Sequence, residues 1–285
     1  MALASESRID VLKTYKLFIG GAFPRSESGR VYPIKDAKGK HLANSALASR
    51  KDLRDAVVAA RGAFVGWSAA TAYNRGQILY RMAEILESRG EELAREIIAL
   101  EGVTVKVAEA QVRESVDLLV WYAGWSDKIS TLAGSTNSVS GPYYNFSTPE
   151  PIGVVAVFAA ATPSLLNIVG AIAAVITSGN AVVVVACEKY PLPAITFAEV
   201  MATSDLPAGV VNVLTGSSAE LAPWAASHMD IDALDASGLT PNQLKETQIS
   251  GVPNLKRIRT FTNPKSTERI LAFMETKTVW HPIGI

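Results

Sequence analysis

The sequence predicts an α/β protein built around a doubly wound parallel sheet. Two observations predict this fold class. From Gly153 onward, apolar runs of strand length alternate with helical patterns, and the 37 residues from Pro151 to Cys187 contain no charged side chain. Alternating strands and helices are typical of parallel sheets, and strands that are buried on both faces read as continuous apolar runs. A length of 285 residues suits one large domain or two small ones.

The N-terminal part begins with a strand and a capped helix. Residues 17–23 are predicted to form a strand that is broken by a Gly-Gly turn. Ser49 and Asp52 have the spacing of a capping box, in which each side chain accepts a hydrogen bond from the other's backbone N–H. We therefore expect a helix that starts there and runs to about Trp67.

Longer helical patterns follow, and then a polar segment. Apolar residues at helical spacing predict a helix over residues 74–100, divided at Gly90, and a third helix over residues 105–129. The polar segment 135–147 is compatible with a protruding hairpin or with a loop. Near the C-terminus, residues 273–280 alternate in the manner of a strand.

The second half of the chain carries the β-α-β alternation itself. Strands are predicted at residues 154–158, 181–185, 210–214 and 231–234, and helices at residues 165–177, 191–203 and 218–227. Open parallel sheets place ligands at the carboxyl ends of their strands, so we expect any binding site at that edge.

Composition excludes several classes of function. Lys and Arg total 27, as do Asp and Glu, so the formal net charge is zero. This balance argues against a nucleic acid or an anionic membrane as a partner. One cysteine, Cys187, excludes an internal disulfide and a site of several thiolates. The three histidines are scattered along the chain, so no metal site is expected.

Neither a signal peptide nor a membrane span is predicted. The first 17 residues include five charged side chains and lack an apolar core, so we expect a cytoplasmic protein. The uncharged run from Pro151 to Cys187 is long enough to span a bilayer. However, Pro163, Asn167 and the turn at residues 178–180 interrupt it, which favours a buried strand, helix and strand.

The residues alone do not reveal a catalytic constellation. The sequence contains no GxGxxG, Walker A or GxSxG motif. Cys187 follows an apolar strand, where a thiol could be a nucleophile, but no histidine is near it in the sequence. A free cysteine is more often a small buried apolar residue. These observations predict an α/β domain without an identified active site.

Several segments nevertheless resemble one family, the aldehyde dehydrogenase superfamily. Residues 17–21 are similar to its entry strand LFINGEW, and residues 121–129 resemble its helix YYAGWADKI. Residues 179–192 resemble GNTVVLKPSEQTPL, and residues 206–216 are close to LPPGVVNVVTG. The resemblance implies a Rossmann-like fold for residues 1–134 and 148–265 that takes NAD or NADP, with a small β oligomerisation arm formed by residues 135–147 and 270–285.

The chain departs from the family where the family binds its cofactor and performs catalysis. The family's PWN tripeptide, whose asparagine helps to hold an oxyanion, is replaced by residues 160–162. Of its KPSE segment only Glu188 remains, and Phe261 stands where a general-base glutamate belongs. Position within the family pattern leaves Glu188, Thr162 and Gly216 as candidate cofactor-binding residues. The resemblance supplies no catalytic residue.

An internal stretch of the family pattern is also missing. After Pro264 the sequence continues at Leu271 with a segment similar to the family's C-terminal strand YTEVKTVW. The resemblance therefore implies that the catalytic domain and its nucleophilic cysteine are absent, while the strand that reaches another subunit is retained. This pattern resembles the non-catalytic second half of the family's tandem-domain members. With that domain missing, we expect apolar surface to be exposed at the carboxyl ends of the strands.

Three interpretations follow from this resemblance. In the first, the chain is a non-catalytic structural or regulatory subunit that pairs with itself or with a full-length aldehyde dehydrogenase. In the second, it still binds NAD or NADP and is active with a partner that supplies the catalytic domain. In the third, it is a paralogue that folds but has no current role.

Overall fold

The computed structural model describes residues 12–284. Its strands are β1 (Thr14–Tyr15), β2 (Val31–Lys35), β3 (His41–Ala46), β4 (Ser135–Asn137), β5 (Tyr143–Pro151), β6 (Val154–Phe158), β7 (Ala181–Val185), β8 (Val211–Leu214), β9 (Ala233–Asp235), β10 (Arg257–Arg259) and β11 (Met274–Pro282). Its α-helices are α1 (Arg50–Ala69), α2 (Ala72–Ser88), α3 (Gly90–Glu101), α4 (Val105–Trp125), α5 (Ile129–Ala133), α6 (Ser164–Thr177), α7 (Leu192–Met201), α8 (Ser218–Ser227), α9 (Pro241–Gly251) and α10 (Thr267–Leu271). The predicted lack of a signal peptide concerns mainly residues 1–11, which lie outside the described part.

The central sheet confirms the predicted fold class. Five parallel strands lie in the order β10-β9-β6-β7-β8. The first strand of this sheet along the chain, β6, lies in its middle. β7 and β8 follow on one side of β6, and β9 and β10 lie on the other side. This is a doubly wound sheet with a topological switch point between β6 and β9. Every residue of β6 and β7 is buried.

Helices cover both faces of the sheet, and the strand residues alternate between them. Val155 and Val157 of β6 face the cluster formed with α2, α3, α4, α6 and α7. Val154, Ala156 and Phe158 face the cluster formed with α1 and α8. This alternation is the period of two that a strand imposes. The uncharged run of residues 151–187 is therefore a buried strand, helix and strand, as predicted.

Most helix predictions are confirmed, with shifts at the ends. The Ser49–Asp52 capping box is present, and it starts α1. The predicted division at Gly90 separates α2 from α3. The predicted helix over residues 105–129 instead ends at Trp125, and a turn leads into the separate short helix α5. No helix within residues 12–284 is long and apolar enough to cross a bilayer.

Two strand predictions hold with adjustments. The Gly-Gly turn predicted within residues 17–23 is present, with positive φ angles at Gly20 and Gly21, but the flanking residues form only isolated bridges, Phe18 with Val213 and Ile19 with Ala22. The last predicted strand of the alternation lies two residues later, as β9. The short elements β1, β2, β3, α9, β10 and α10 are not among the sequence predictions.

A separate antiparallel sheet is formed by strands in the order β11-β5-β4. The polar segment 135–147 is thus a hairpin rather than a loop, and its second strand continues to Pro151. β11 pairs with β5 along its whole length, from Met274 opposite Pro151 to Pro282 opposite Tyr143. We call these three strands the arm.

Candidate cofactor site at the carboxyl edge of the sheet

The three candidate cofactor residues follow three neighbouring strands of the central sheet. Thr162 comes after β6, Glu188 after β7 and Gly216 after β8, so all three reach the carboxyl edge. The side chains of Thr162 and Glu188 are exposed. Gly216 is buried at φ 141°, and a Cβ there would lie 3.1 Å from the backbone nitrogen of Ala48. Gly216 therefore lets the loop before α1 pack closely on the end of β8.

The crevice at the switch point is filled by the chain's own backbone. The N–H of Gly238, in the loop between β9 and α9, donates to the carbonyl of Phe158 at 2.8 Å. A Cβ on Gly238 would collide with the carbonyl of Ala159. The loop after β9 thus lies directly on the end of β6, where an open α/β sheet normally receives its ligand.

The N-terminus of α6 is capped from two other helices. The Glu101 carboxylate, at the end of α3, accepts hydrogen bonds from the backbone N–H of Ser164 at 2.9 Å and from its hydroxyl at 2.5 Å. Gln111 of α4 accepts from the N–H of Leu165 at 2.8 Å. A helix N-terminus binds anions through such free N–H groups. Here Glu101 already supplies the negative charge.

The N-terminus of α9 is capped from within. Thr240 and Gln243 form a capping box, in which the N–H of Thr240 donates to the Gln243 side chain at 2.9 Å and the N–H of Gln243 donates to the Thr240 hydroxyl. Pro241 has no N–H to offer. Of the first three helical residues, only Asn242 therefore keeps an unengaged N–H. The N-termini of α6 and α9 do not fit a pyrophosphate as they stand, because the N–H groups of Ser164, Leu165 and Gln243 are engaged within the chain.

A buried ion pair holds the loop after β9. The Arg269 guanidinium donates to the Asp235 carboxylate at 2.5 Å, and the two side chains are 6% and 0% exposed. Ser237 also donates to Asp235, through its hydroxyl at 2.5 Å, and it accepts from the N–H of Phe261 at 2.8 Å. These contacts link the ends of β9 and β10 to α10.

The segment after β10, residues 260–273, runs from the end of that strand over α6 to the start of β7, where the carbonyl of Phe273 accepts from the Asn180 side chain at 2.7 Å. We call it the connector. Pro264 packs on α6 at Gly170, where a Cβ would lie 2.8 Å from the proline ring. The Tyr122 hydroxyl of α4 donates to the carbonyl of Pro264 at 2.7 Å. Burial raises the pKa of Tyr122 to about 12, so the phenol remains a proton donor at neutral pH.

The expected exposure of apolar strand ends is therefore wrong. Phe158, Val185 and Leu214 are all at most 1% exposed. They lie on the face of the sheet that α1 and α8 cover, where Phe64, Leu239 and Ile258 pack against the same cluster. Phe261, which stands at the general-base position of the family pattern, packs edge-on against Phe273 with ring centroids 5.9 Å apart. It belongs to this apolar contact, and a phenyl ring cannot accept a proton.

The arrangement contains no acid–base or metal chemistry that we can identify. Cys187 is a free, half-buried thiol. Within the described chain, no group of three His, Cys, Asp or Glu residues could hold a metal ion. Sequence reasoning did not identify Glu101, Gln111, Asp235 or Arg269 as residues of this edge. The partners of Glu101 and Arg269 are 63 and 34 residues away, and no local signal marks such pairs.

Comparison with known proteins identifies the family. Residues 23–258 match the family model described as "Aldehyde dehydrogenase family". Human mitochondrial 10-formyltetrahydrofolate dehydrogenase is 32% identical over 260 residues, which is 88% of this chain and 28% of that protein. Retinal dehydrogenase 2 from Gallus gallus is 33% identical over 266 residues, which is 92% of this chain and 51% of that protein.

Solved structures give the same result. The NAD+ complex of aldehyde dehydrogenase from Bacillus cereus superimposes with a TM-score of 0.82 at 27% identity, over 87% of this chain and 50% of that one. A putative aldehyde dehydrogenase from Burkholderia cenocepacia gives 0.82 at 28% identity, over 86% of this chain and 50% of that one. The chain thus spans about half or less of the proteins that it matches. It has the Rossmann-like fold of these proteins, and it belongs to the aldehyde dehydrogenase family.

Proposed function

We propose that this chain is a non-catalytic member of the family that acts as a structural or regulatory subunit in an oligomer. Its partner is a second copy or a full-length aldehyde dehydrogenase, and we place the assembly in the cytoplasm. The observation that carries the proposal is the arm. β11 is an edge strand of its sheet and pairs only with β5 among the described strands, which leaves the outer side of its backbone without a partner strand from Glu275 to His281.

The surface of the arm suits association with another protein. Side chains from Glu275 to Thr278 and from Trp280 to Pro282 are exposed. Trp280 is 58% exposed, and its ring packs edge-on against Tyr143 with centroids 5.8 Å apart. Unpaired strand edges are templates for the addition of another strand, and exposed aromatic side chains are typical anchors of protein interfaces.

The carboxyl edge supports the non-catalytic part of the proposal. The helix donors that would hold a pyrophosphate are engaged by Glu101, Thr240 and Gln243. Phe261 cannot act as a base, and no nucleophile paired with a base lies at this edge within residues 12–284. Oxidation of an aldehyde through a thioester requires both groups. We therefore infer that the isolated chain has no dehydrogenase activity and takes neither NAD nor NADP.

The alternative is a nucleotide-binding subunit that is active with a partner. The NAD+ complex of the Bacillus cereus relative favours it, because that protein shares this fold. Exposed Glu188 would then be the residue of this chain that contacts the cofactor. A paralogue without a role would neither bind a nucleotide nor form an assembly.

Native mass spectrometry tests the assembly. One chain has a mass of 30.3 kDa. We expect the purified protein to have a native mass of two or more chains, or to bind a full-length aldehyde dehydrogenase from the same host at a fixed ratio. The double variant Tyr143→Lys/Trp280→Lys places charges on the arm surface and should reduce the complex to a monomer. Deletion of residues 276–285 should have the same effect.

The matched control is Tyr73→Lys/Tyr80→Lys, which adds the same two charges at side chains that are 70% and 50% exposed on α2. It should leave the native mass unchanged. Circular dichroism checks that each variant is folded. The proposal fails if the wild-type chain is monomeric both alone and with the full-length enzyme, or if the arm variants keep the wild-type mass.

A further inference from the structure

A groove with a volume of about 700 Å³ runs along α3 and α4. It shares no residue with the arm or with the contacts at the carboxyl edge. Its floor is entirely apolar and consists of Gly90, Ala94 and Ile98 from α3 with Val105, Val112 and Val116 from α4. The absence of a side chain at Gly90 lets α3 approach α4 closely, because a Cβ there would lie 3.4 Å from Val112.

The rim of the groove is charged, and acids predominate. It carries the carboxylates of Glu87, Glu91, Glu109 and Asp117 and the guanidiniums of Arg95 and Arg113. All six side chains are exposed. Glu109 lies 4.0 Å from Arg113, whereas Glu87, Glu91 and Asp117 form no ion pair within the described residues. The rim therefore has an excess of negative charge, although the chain as a whole is neutral.

The shape and chemistry of the groove select one kind of occupant. A small polar ligand would need buried polar groups that converge on it, and the floor has no polar side chain. Two packed helices present a groove into which the apolar ridge of a third helix fits. The lining extends along α4 from Val105 to Asp117, about 18 Å at the helical rise, which is about three turns of a partner helix.

We propose that the groove docks an amphipathic helix of a partner protein. The apolar face of that helix lies on the valine-rich floor, and lysine or arginine side chains flank this face and reach Glu87, Glu91 and Asp117. The inference does not depend on the proposed function, since the arm and the groove are separate surfaces. The arm would bind a family member, and the groove would bind a helix of a different protein.

A display experiment tests the proposal with an unbiased probe. A library of helical peptides of about 14 residues is selected against the immobilised full-length chain. We expect the selected peptides to share apolar residues at i, i+3 or i+4, and i+7, with Lys or Arg on the flanks. Their affinity should fall at least tenfold for the variant Glu87→Lys/Asp117→Lys, and it should weaken with added salt.

The two substitutions are compatible with folding. A lysine at position 87 is in the last turn of α2, where the helix dipole favours a cation, and lysine is a better helix former than aspartate at position 117. The matched control is Glu114→Lys/Glu246→Lys, which makes the same change in charge at exposed helical positions outside the groove. It should bind the selected peptides as the wild-type chain does.

Four results would overturn the proposal. The selection could yield no peptides beyond those obtained with the rim variant, or it could yield acidic or wholly polar peptides. The selected peptides could bind the rim variant and the wild-type chain equally well. Finally, the wild-type chain could self-associate while the rim variant does not, which would identify a second copy as the occupant of the groove.

Discussion

Single residues decide whether the carboxyl edge is open or closed. The sequence points to Thr162 and Glu188, which are exposed at strand ends and make no described contact that closes the site. The residues that close it are Glu101, Tyr122 and Arg269. Each acts through a partner far away in the sequence, so none could be selected from local pattern. The hydroxyl of Tyr122 anchors the connector through the carbonyl of Pro264.

Removal of the Tyr122 hydroxyl should weaken that anchor. Tyr122→Phe keeps the ring, which is 0% exposed, but leaves the carbonyl of Pro264 without its donor. We expect the free energy of unfolding to fall by about 1 kcal/mol, measured by urea denaturation. Tyr80→Phe, at a side chain that is 50% exposed on α2, is the control and should cause no change. Equal stability of Tyr122→Phe and the wild-type chain would show that the hydrogen bond does not anchor the connector.

The difference in unfolding free energy between the wild-type chain and Tyr122→Phe should depend on pH. The pKa of Tyr122 is raised from 10.0 to about 12 by burial. Between these values the unfolded chain loses the phenolic proton and the folded chain keeps it, so the wild-type stability falls as pH rises. The stability advantage of the wild-type chain over Tyr122→Phe should be constant well below pH 10, and toward pH 12 it should shrink and then change sign, because the proton-linked loss exceeds the contribution of the hydrogen bond. A constant difference across that window would contradict the assigned pKa.

At the scale of the elements, α6 and α9 both begin with N–H groups that are capped within the chain. A fold that binds a nucleotide phosphate leaves such groups free for the ligand. An apolar run of helical length and the turn residues that bound it predict α6 correctly to within one residue, because those signals are local. They do not show what caps its N-terminus. Glu101 is at the end of α3, and it reaches Ser164 only because α3, α4 and α6 pack together. The capping box of α9 is local, but the sequence analysis did not recognise that helix.

Glu101 should behave as the resident anion of α6. Glu101→Ala removes a charge-assisted acceptor from the N–H and hydroxyl of Ser164, and we expect a loss of about 1.5–3 kcal/mol of unfolding free energy. Glu101→Gln keeps an acceptor oxygen and should lose less. Sulfate should raise the melting temperature of Glu101→Ala more than that of the wild-type chain, because the freed N–H groups can then bind an anion.

The matched control for this series is Glu114→Ala, at an exposed position of α4. It should have little effect on stability and no specific response to sulfate. If Glu101→Ala and Glu114→Ala behave alike in both measurements, Glu101 does not cap α6 in solution.

In the whole molecule, the connector joins the last strand of the central sheet, β10, to the arm strand β11. The chain spans about half or less of the proteins it matches, yet its strand ends are buried. Arg269 joins the connector to Asp235 at the end of β9, Pro264 packs on α6, and Phe261 packs on Phe273. The arm then remains as the extended element that lies outside the main core.

Nucleotide binding distinguishes the two functional interpretations for the molecule as a whole. A ligand at 100 times its Kd stabilises a protein by about 2.7 kcal/mol. We expect the thermal unfolding curve to be unchanged by millimolar NAD or NADP, with a full-length family member as the positive control. A saturable rise in melting temperature with either nucleotide would instead support a nucleotide-binding subunit. Loss of that rise in Glu188→Gln would identify the residue involved.

The amino-acid sequence was sufficient for the fold class, the order of the main strands and helices, and the resemblance to a family. These depend on periodicity, caps and short motifs, which are properties of neighbouring residues. It could not show that the carboxyl edge is closed. That closure rests on Glu101 with Ser164, Gln111 with Leu165 and Tyr122 with Pro264, pairs separated by 63, 54 and 142 residues. Such contacts exist only after the helices pack and the connector folds back, so the tertiary structure alone decides them.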